Sequence, residues 1–202
     1  MRVRLLLLAA LMLASCSESP KPVEKASAPE KPAEPLTGRQ AFQQTYPAAR
    51  GWANDCEPMR IRSFNLAQIK SENGKAPAWE VLYVSQSRGR ARAYTWSAIE
   101  AEGGLHKGVF AGHEESWRGP SGQEKPFLVA SLKIDTPEAL ETAISKSPDY
   151  IKKPGNKPPV SFILEYTPRY PDPAWRVFWG ESISSAEWSV FIDATTGQYL
   201  GR

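Results

Sequence analysis

Arginines at alternate positions are the residues of this chain whose spacing best suits ligand binding. The set comprises Arg60, Arg62, Arg88, Arg90 and Arg92. Side chains two residues apart point to the same side of a β-strand, so neighbouring strands could gather these five guanidinium groups on one sheet face. Such a face could bind carboxylates or phosphates through paired hydrogen bonds. The alternative is that these charges mark the solvent side of a sheet that is buried only on its other face.

Residues typical of catalytic or metal sites are sparse. The two histidines, His106 and His113, stand seven positions apart, and Glu114 and Glu115 follow the second one. A helix could bring such residues together around a metal ion, but glycines interrupt residues 103–112 and favour a loop. Sequence motifs of serine hydrolases, metalloproteases and nucleotide-binding loops are absent. We therefore expect no enzyme, no metal site and no cofactor.

The N-terminus has the pattern of a secretory signal. Residues 1–15 begin with two arginines, continue with an apolar run too short to span a bilayer, and end in small residues before Cys16. The sequence Leu-Ala-Ser-Cys resembles the bacterial lipobox, which implies that acyl chains such as palmitate modify Cys16 and hold the protein on a membrane. The alternative is an ordinary signal with a chance cysteine. Ser17 after the cysteine favours, by the same resemblance, the outer membrane and a periplasm-facing protein.

The segment after Cys16 is typical of a disordered tether. Residues 16–36 are rich in Pro, Ala, Lys and Glu and have too few apolar residues to form a core. Removal of the signal takes away Arg2 and Arg4, which lowers the formal net charge from +3 to +1. So balanced a charge gives no concentrated positive field, and we expect no nucleic-acid partner.

Cys56 is the second of two cysteines. If Cys16 is lipidated, Cys56 has no intramolecular partner for a disulfide. A lone cysteine behind a helix is typical of a small buried hydrophobic residue, although a reactive thiol or an intermolecular bridge stays open.

A short aromatic motif occurs twice. The sequence PAWEVLYVS at residues 77–85 has a counterpart, PAWRVFWGE, at residues 173–181. Aromatic residues and valine at alternate positions predict two strands that each place one face on a core, with Trp79 and Trp175 at corresponding core positions. The alternative is a coincidence between two hydrophobic strands.

A predicted helix precedes each of these strands. Thr37 followed by Gln40 matches a capping box. Thr136 is the expected N-cap of a second helix, in which Pro137 takes the first position. A further strand is expected over residues 127–134.

The C-terminal sequence EWSVFIDATTGQYL predicts a tight hairpin turn. Asp193 can cap the following backbone amides, and Gly197 can adopt a positive φ angle. With Thr196 and the preceding Trp175-x-Val177 strand, this turn resembles that of the PepSY domain family. The resemblance implies a helix packed on a small antiparallel sheet.

The sequence therefore predicts an α+β fold with two PepSY-like units in tandem, each made of a helix and an antiparallel sheet. The units are assigned to residues 37–112 and 127–202, with a linker at 113–126. The N-terminal unit resembles the family less closely, because Glu100 replaces the turn aspartate and no threonine precedes Gly104.

The function expected from this resemblance is that of a binding or inhibitory module. It would act on an envelope protein, such as a protease or a cell-wall hydrolase that it restrains. The alternative is an envelope scaffold that binds peptidoglycan or lipopolysaccharide through the arginine-lined face. A second candidate surface is aromatic: those residues that the core does not need would form an exposed apolar patch suited to a protein partner, from the set Tyr94, Trp96, Trp117, Trp179 and Trp188.

Overall fold

A computed structural model describes residues 34–122, 125–155 and 157–202. They belong to one compact unit, Ala33–Arg202. The predicted signal, Cys16 and the tether up to residue 33 lie outside the described residues. No helix within the described ranges is long and apolar enough to cross a bilayer.

Each half of the unit contains a long helix followed by four strands. The helices are α1 (Gly38–Trp52), α2 (Thr136–Ser145) and a short α3 (Pro148–Lys152). The strands of the first half are β1 (Glu57–Phe64), β2 (Ala78–Ser85), β3 (Arg90–Ser97) and β4 (Gly108–Ser116). Those of the second half are β5 (Val160–Thr167), β6 (Tyr170–Trp179), β7 (Trp188–Asp193) and β8 (Tyr199–Gly201).

All eight strands form a single antiparallel sheet in the order β4-β3-β2-β1-β5-β6-β7-β8. The prediction of two separate helix-plus-sheet units in tandem is therefore wrong. β1 pairs with β5 through Ile61 with Leu164 and Arg62 with Ile163. Separate units would each leave one of these strands as an unpaired edge, and pairing satisfies both edges at once.

The starts of the two long helices are bonded to each other. Asp135 caps α2, a role that the sequence assigned to Thr136. The Asp135 carboxylate also accepts hydrogen bonds from the Thr37 hydroxyl at 2.6 Å and from the Arg39 amide of α1 at 2.9 Å. The Gly38 amide donates to the Thr136 hydroxyl at 3.0 Å. Both helices therefore begin at one shared polar cluster.

Gly38 allows α1 to begin against the second half of the chain. A Cβ atom at this position would lie 2.7 Å from the indole ring of Trp175, closer than side-chain atoms pack. Glycine is needed here for close approach.

The helices cover one face of the sheet, and the main core lies between the helices and that face. Trp79 and Trp175 are both fully buried there. Their indole N–H groups donate to the carbonyls of Leu36 and Ile134, each at 2.9 Å. The Phe162 ring packs against both indoles, with centroids 6.2 and 6.5 Å away, so the two halves share one core.

Residues 127–134 do not form the expected extra strand. Phe127 is buried in the core and its amide donates to the Pro58 carbonyl, while Val129–Ser131 form a 3-10 turn. Burial does not alternate along this segment as it would in a strand, since the neighbouring residues Leu128 and Val129 are both exposed. Residues 113–116, assigned to the linker, belong to β4.

Replacing Asp135 with alanine should destabilise the whole fold. The change removes the cap of α2 and leaves the Thr37 hydroxyl and the Arg39 amide without their acceptor, which we expect to cost about 1–3 kcal/mol. Urea unfolding followed by tryptophan fluorescence measures the loss. Glu141→Ala, at an exposed position of α2, is the matched control, and equal unfolding midpoints for the two variants would contradict the role of Asp135.

Candidate functional site

One face of the sheet is covered by no helix of the described residues, and it carries arginines from both halves of the chain. Ile61 points into the core, so Arg60 and Arg62 on either side of it point to the opposite face. Arg176 lies between the core residues Trp175 and Val177 and points the same way. This helix-free face therefore brings together side chains that are more than 100 positions apart in sequence.

A cavity of about 550 Å³ opens on this helix-free face. Its charged lining consists of Arg60, Arg169, Arg176, Glu115 and Glu165. The volume lies within the range of roughly 300–1,000 Å³ that is usual for small-ligand sites. We refer to it as the arginine cavity.

Apolar side chains form another part of the arginine cavity. They include Leu82, Ala91, Trp117 and Phe191. Phe191 is 9% exposed although it lies outside the helix-covered core. The guanidinium groups of Arg176 and Arg169 lie 5.4 and 6.0 Å from the centre of its ring, within the range of cation–π contact. The cavity thus combines positive charge with an apolar surface.

Arg176 is held firmly in this lining. Its Nε donates to the Ser189 hydroxyl at 2.7 Å. Burial lowers the pKa of the Arg176 guanidinium, while the negative charge of Glu165 opposes that shift. An arginine begins so far above neutrality that it stays protonated at physiological pH. The cavity therefore keeps this positive charge.

Arg62 and Arg60 share one acidic neighbour. Arg62 donates from Nη2 to Glu80 at 2.9 Å, and its Nε lies 2.8 Å from the same carboxylate as an ion-pair contact. Arg60 lies farther away, with its Nη2 3.7 Å from the same carboxylate. Arg62 is thus engaged within the sheet, and Arg60 extends into the arginine cavity.

Three buried polar atoms of the cavity-lining residues have no hydrogen-bond partner within the described part of the chain. They are the Nε of Arg60, the indole nitrogen of Trp117 and the hydroxyl oxygen of Thr167. An unsatisfied buried group costs about 1–3 kcal/mol, and proteins usually satisfy such groups with protein, water or ligand atoms. All three atoms can therefore serve a bound ligand as donors.

The other three arginines of the predicted set lie elsewhere. Arg92 is paired with the core-facing Tyr83, so it points to the helix side of the sheet. Arg90 is exposed and donates to Ser116. Arg88 lies over the Trp52 ring near the end of α1. The predicted set of five therefore does not form one surface, because the register places its members on opposite faces. Ligand binding by any of them stays a prediction.

Two arginines of the cavity were missed in the sequence. A signal existed for Arg176, because the alternation that places Trp175 and Val177 in the core also places the intervening residue on the opposite face. Arg169 lies in the turn between β5 and β6, where no periodicity applies.

The aromatic residues proposed for a partner surface are divided between the cavity and the core. Trp117 lines the cavity. Tyr94 and Trp179 are buried in the core instead.

The C-terminal turn has the geometry expected from its sequence. The Asp193 carboxylate accepts hydrogen bonds from the amides of Thr195 and Thr196 at 2.8 and 2.7 Å. Gly197 has a φ angle of 76°. This turn connects β7 to β8 and does not line the arginine cavity.

Cys56 and the histidines lie away from the arginine cavity. Cys56 is buried, and burial raises the pKa of its thiol, which makes it a packing residue. His106 contacts Glu100 at 3.1 Å. His113 is exposed in β4, directly after the predicted loop at residues 103–112. The described ranges contain no group of three or more His, Cys, Asp or Glu residues placed to hold a metal ion.

No family model matches the chain, and no curated protein matches its sequence. Among solved structures, the fold is similar to that of a protein from Clostridium difficile 630 that carries the provisional description of a lipoprotein. The TM-score is 0.53 with 10% sequence identity, over 79% of this chain and 90% of that chain. This likeness shows a shared fold. The PepSY resemblance stays a prediction.

Replacing Thr167 with valine should stabilise the unliganded protein. The change removes an unsatisfied buried hydroxyl and keeps the side-chain shape, so we expect a gain of about 1 kcal/mol in the free energy of unfolding. Thr45→Val is the matched comparison, because its buried hydroxyl bonds the Tyr83 hydroxyl at 2.9 Å and its loss should destabilise. Urea unfolding measures both. Equal losses in the two variants would show that the Thr167 hydroxyl is satisfied.

Proposed function

We propose that this protein is a lipid-anchored, periplasm-facing binding module that uses the arginine cavity as its ligand site. One observation carries the proposal. Arg60, Arg169 and Arg176, which come from both halves of the chain, line one cavity outside the helix-covered core. Guanidinium groups in a partly buried, apolar setting are suited to bind acidic groups of a partner. The proposal assigns no catalytic step to the protein.

The anchor in this proposal is Cys16 after the signal at residues 1–15. The lipobox-like sequence supports it, and so does the fold shared with a protein described as a lipoprotein. Ser17 favours attachment to the outer membrane. The part of the predicted tether that precedes residue 34 would then separate the folded part from the membrane surface.

The partner in this proposal is an envelope protein, such as a protease or a cell-wall hydrolase that the module restrains. The PepSY resemblance of the C-terminal half supports this role. A second candidate is an envelope scaffold that binds peptidoglycan or lipopolysaccharide. It is favoured by the same cavity, since guanidinium groups bind carboxylates and phosphates alike.

Replacing Cys16 with serine should release the protein from the membrane. Serine lacks the thiol that would carry the lipid, and without acyl chains the charged tether has little affinity for a bilayer. Cell fractionation and metabolic labelling with a palmitate analogue measure this. Cys56→Ser is the control and should keep both the label and the membrane fraction. Continued labelling of the Cys16 variant would contradict the anchor.

Reversing the charge of Arg169 should weaken partner capture. Arg169 is exposed, so Arg169→Glu should leave the core intact while introducing repulsion into the cavity. We expect recovery of a crosslinked partner by the tagged, full-length protein to fall by about tenfold or more. Arg50→Glu, on α1 and outside the cavity lining, should leave recovery unchanged.

Three outcomes of that experiment are informative. A single stoichiometric envelope protein, lost in Arg169→Glu, supports the first candidate. Recovery of peptidoglycan fragments or lipopolysaccharide with the same dependence supports the scaffold. Recovery that is equal in wild type and Arg169→Glu, or that is absent under mild crosslinking, contradicts the arginine cavity as the ligand site.

A further inference from the structure

We infer that the ligand of the arginine cavity is a peptide with a free carboxylate next to an apolar side chain. This inference rests on the proposed function, because it takes the cavity as the ligand site. It adds the chemical class of the ligand, which follows from the charge, the shape and the unsatisfied atoms of the lining.

The charge of the lining favours a ligand with one negative charge. Three arginines stand against two glutamates, Glu115 and Glu165, which leaves one positive charge in excess. A carboxylate supplies a single negative charge and matches the planar fork of a guanidinium. A phosphate monoester, with a charge of about −1.5 to −2 at neutral pH, exceeds what this lining balances.

The remaining lining favours a peptide over a bare anion. Leu82 and Trp117 are partly exposed and offer an apolar surface beside the arginines, which suits an apolar side chain. The carboxylate of Glu115 is a hydrogen-bond acceptor in the lining, which the N–H groups of a peptide can use. A ligand that carries an acid, an apolar side chain and amide donors meets each part of the lining.

The unsatisfied atoms indicate where the acid binds. Within the described chain, the Arg60 Nε, the Trp117 indole nitrogen and the Thr167 hydroxyl are all buried without a partner. Each can donate a hydrogen bond, and a carboxylate has two oxygens that accept. We therefore place the ligand carboxylate at these donors, and the apolar side chain toward Leu82.

Two sources in the envelope present this chemistry. The C-terminal residue of a protein carries a free carboxylate beside its side chain, and so does the terminal residue of a peptidoglycan stem peptide. The cavity recognises the group that they share. Probes of opposite chirality separate the two sources.

Titration calorimetry with the full-length protein in detergent tests the inference. The probes are N-acetyl-Ala-Phe, the same dipeptide as its C-terminal amide, a stem pentapeptide ending in D-Ala-D-Ala, and inorganic phosphate. We expect an acid probe to bind about tenfold or more tightly than the amide and than phosphate. Thr167→Val should weaken acid binding by roughly fivefold or more, because one donor is lost. Arg50→Glu should leave it unchanged.

The probe that binds more tightly identifies the source. Preference for N-acetyl-Ala-Phe points to a protein C-terminus, and preference for the pentapeptide points to peptidoglycan. Equal binding of acid and amide, phosphate binding as tight as that of either acid, or no binding of either acid would overturn the inference. If partner capture still depends on Arg169 in that case, the cavity stands as the site and only the ligand class is wrong. If capture is also insensitive to Arg169→Glu, the proposed function fails as well.

Discussion

The carboxylate of Asp135 holds the starts of both long helices at once. It caps α2, and it accepts hydrogen bonds from the Thr37 hydroxyl and the Arg39 amide of α1. The N-terminus of each helix carries a partial positive charge, so two such ends brought together need a negative group between them. Asp135 supplies that group. The close contact of Gly38 with the Trp175 ring depends on this arrangement.

The joined helices explain why the sheet is continuous. With both helices starting at one point, β1 and β5 lie side by side and pair, and Phe162 packs against the tryptophans of both halves. A continuous sheet has a continuous helix-free face. Arg60 from the first half and Arg176 from the second therefore line the same cavity. The candidate site is a consequence of the way in which the halves are joined.

Local patterns in the sequence predicted much of the fold. The capping box at Thr37, the alternating strands around Trp79 and Trp175, and the Asp193–Gly197 turn are all present in the structure. Each depends on neighbouring residues along the chain. The prediction of separate units failed because it required knowing which strand edges pair, and β1 and β5 are separated by about a hundred residues. The prediction that five arginines share one sheet face was wrong for a related reason. Alternation within one strand does not give the register between strands.

The sequence by itself determined the two long helices, the strands around Trp79 and Trp175, the burial of these tryptophans and the tight turn, because hydrogen bonding and side-chain alternation over a few residues fix these features. Only the tertiary structure decided that eight strands make one sheet, that Arg60 meets Arg169 and Arg176, and that Arg90 and Arg92 face away from them. The physical reason is that strand pairing and helix docking satisfy hydrogen-bonding groups far apart in the chain. Composition and local spacing do not determine which strands pair or where the helices dock.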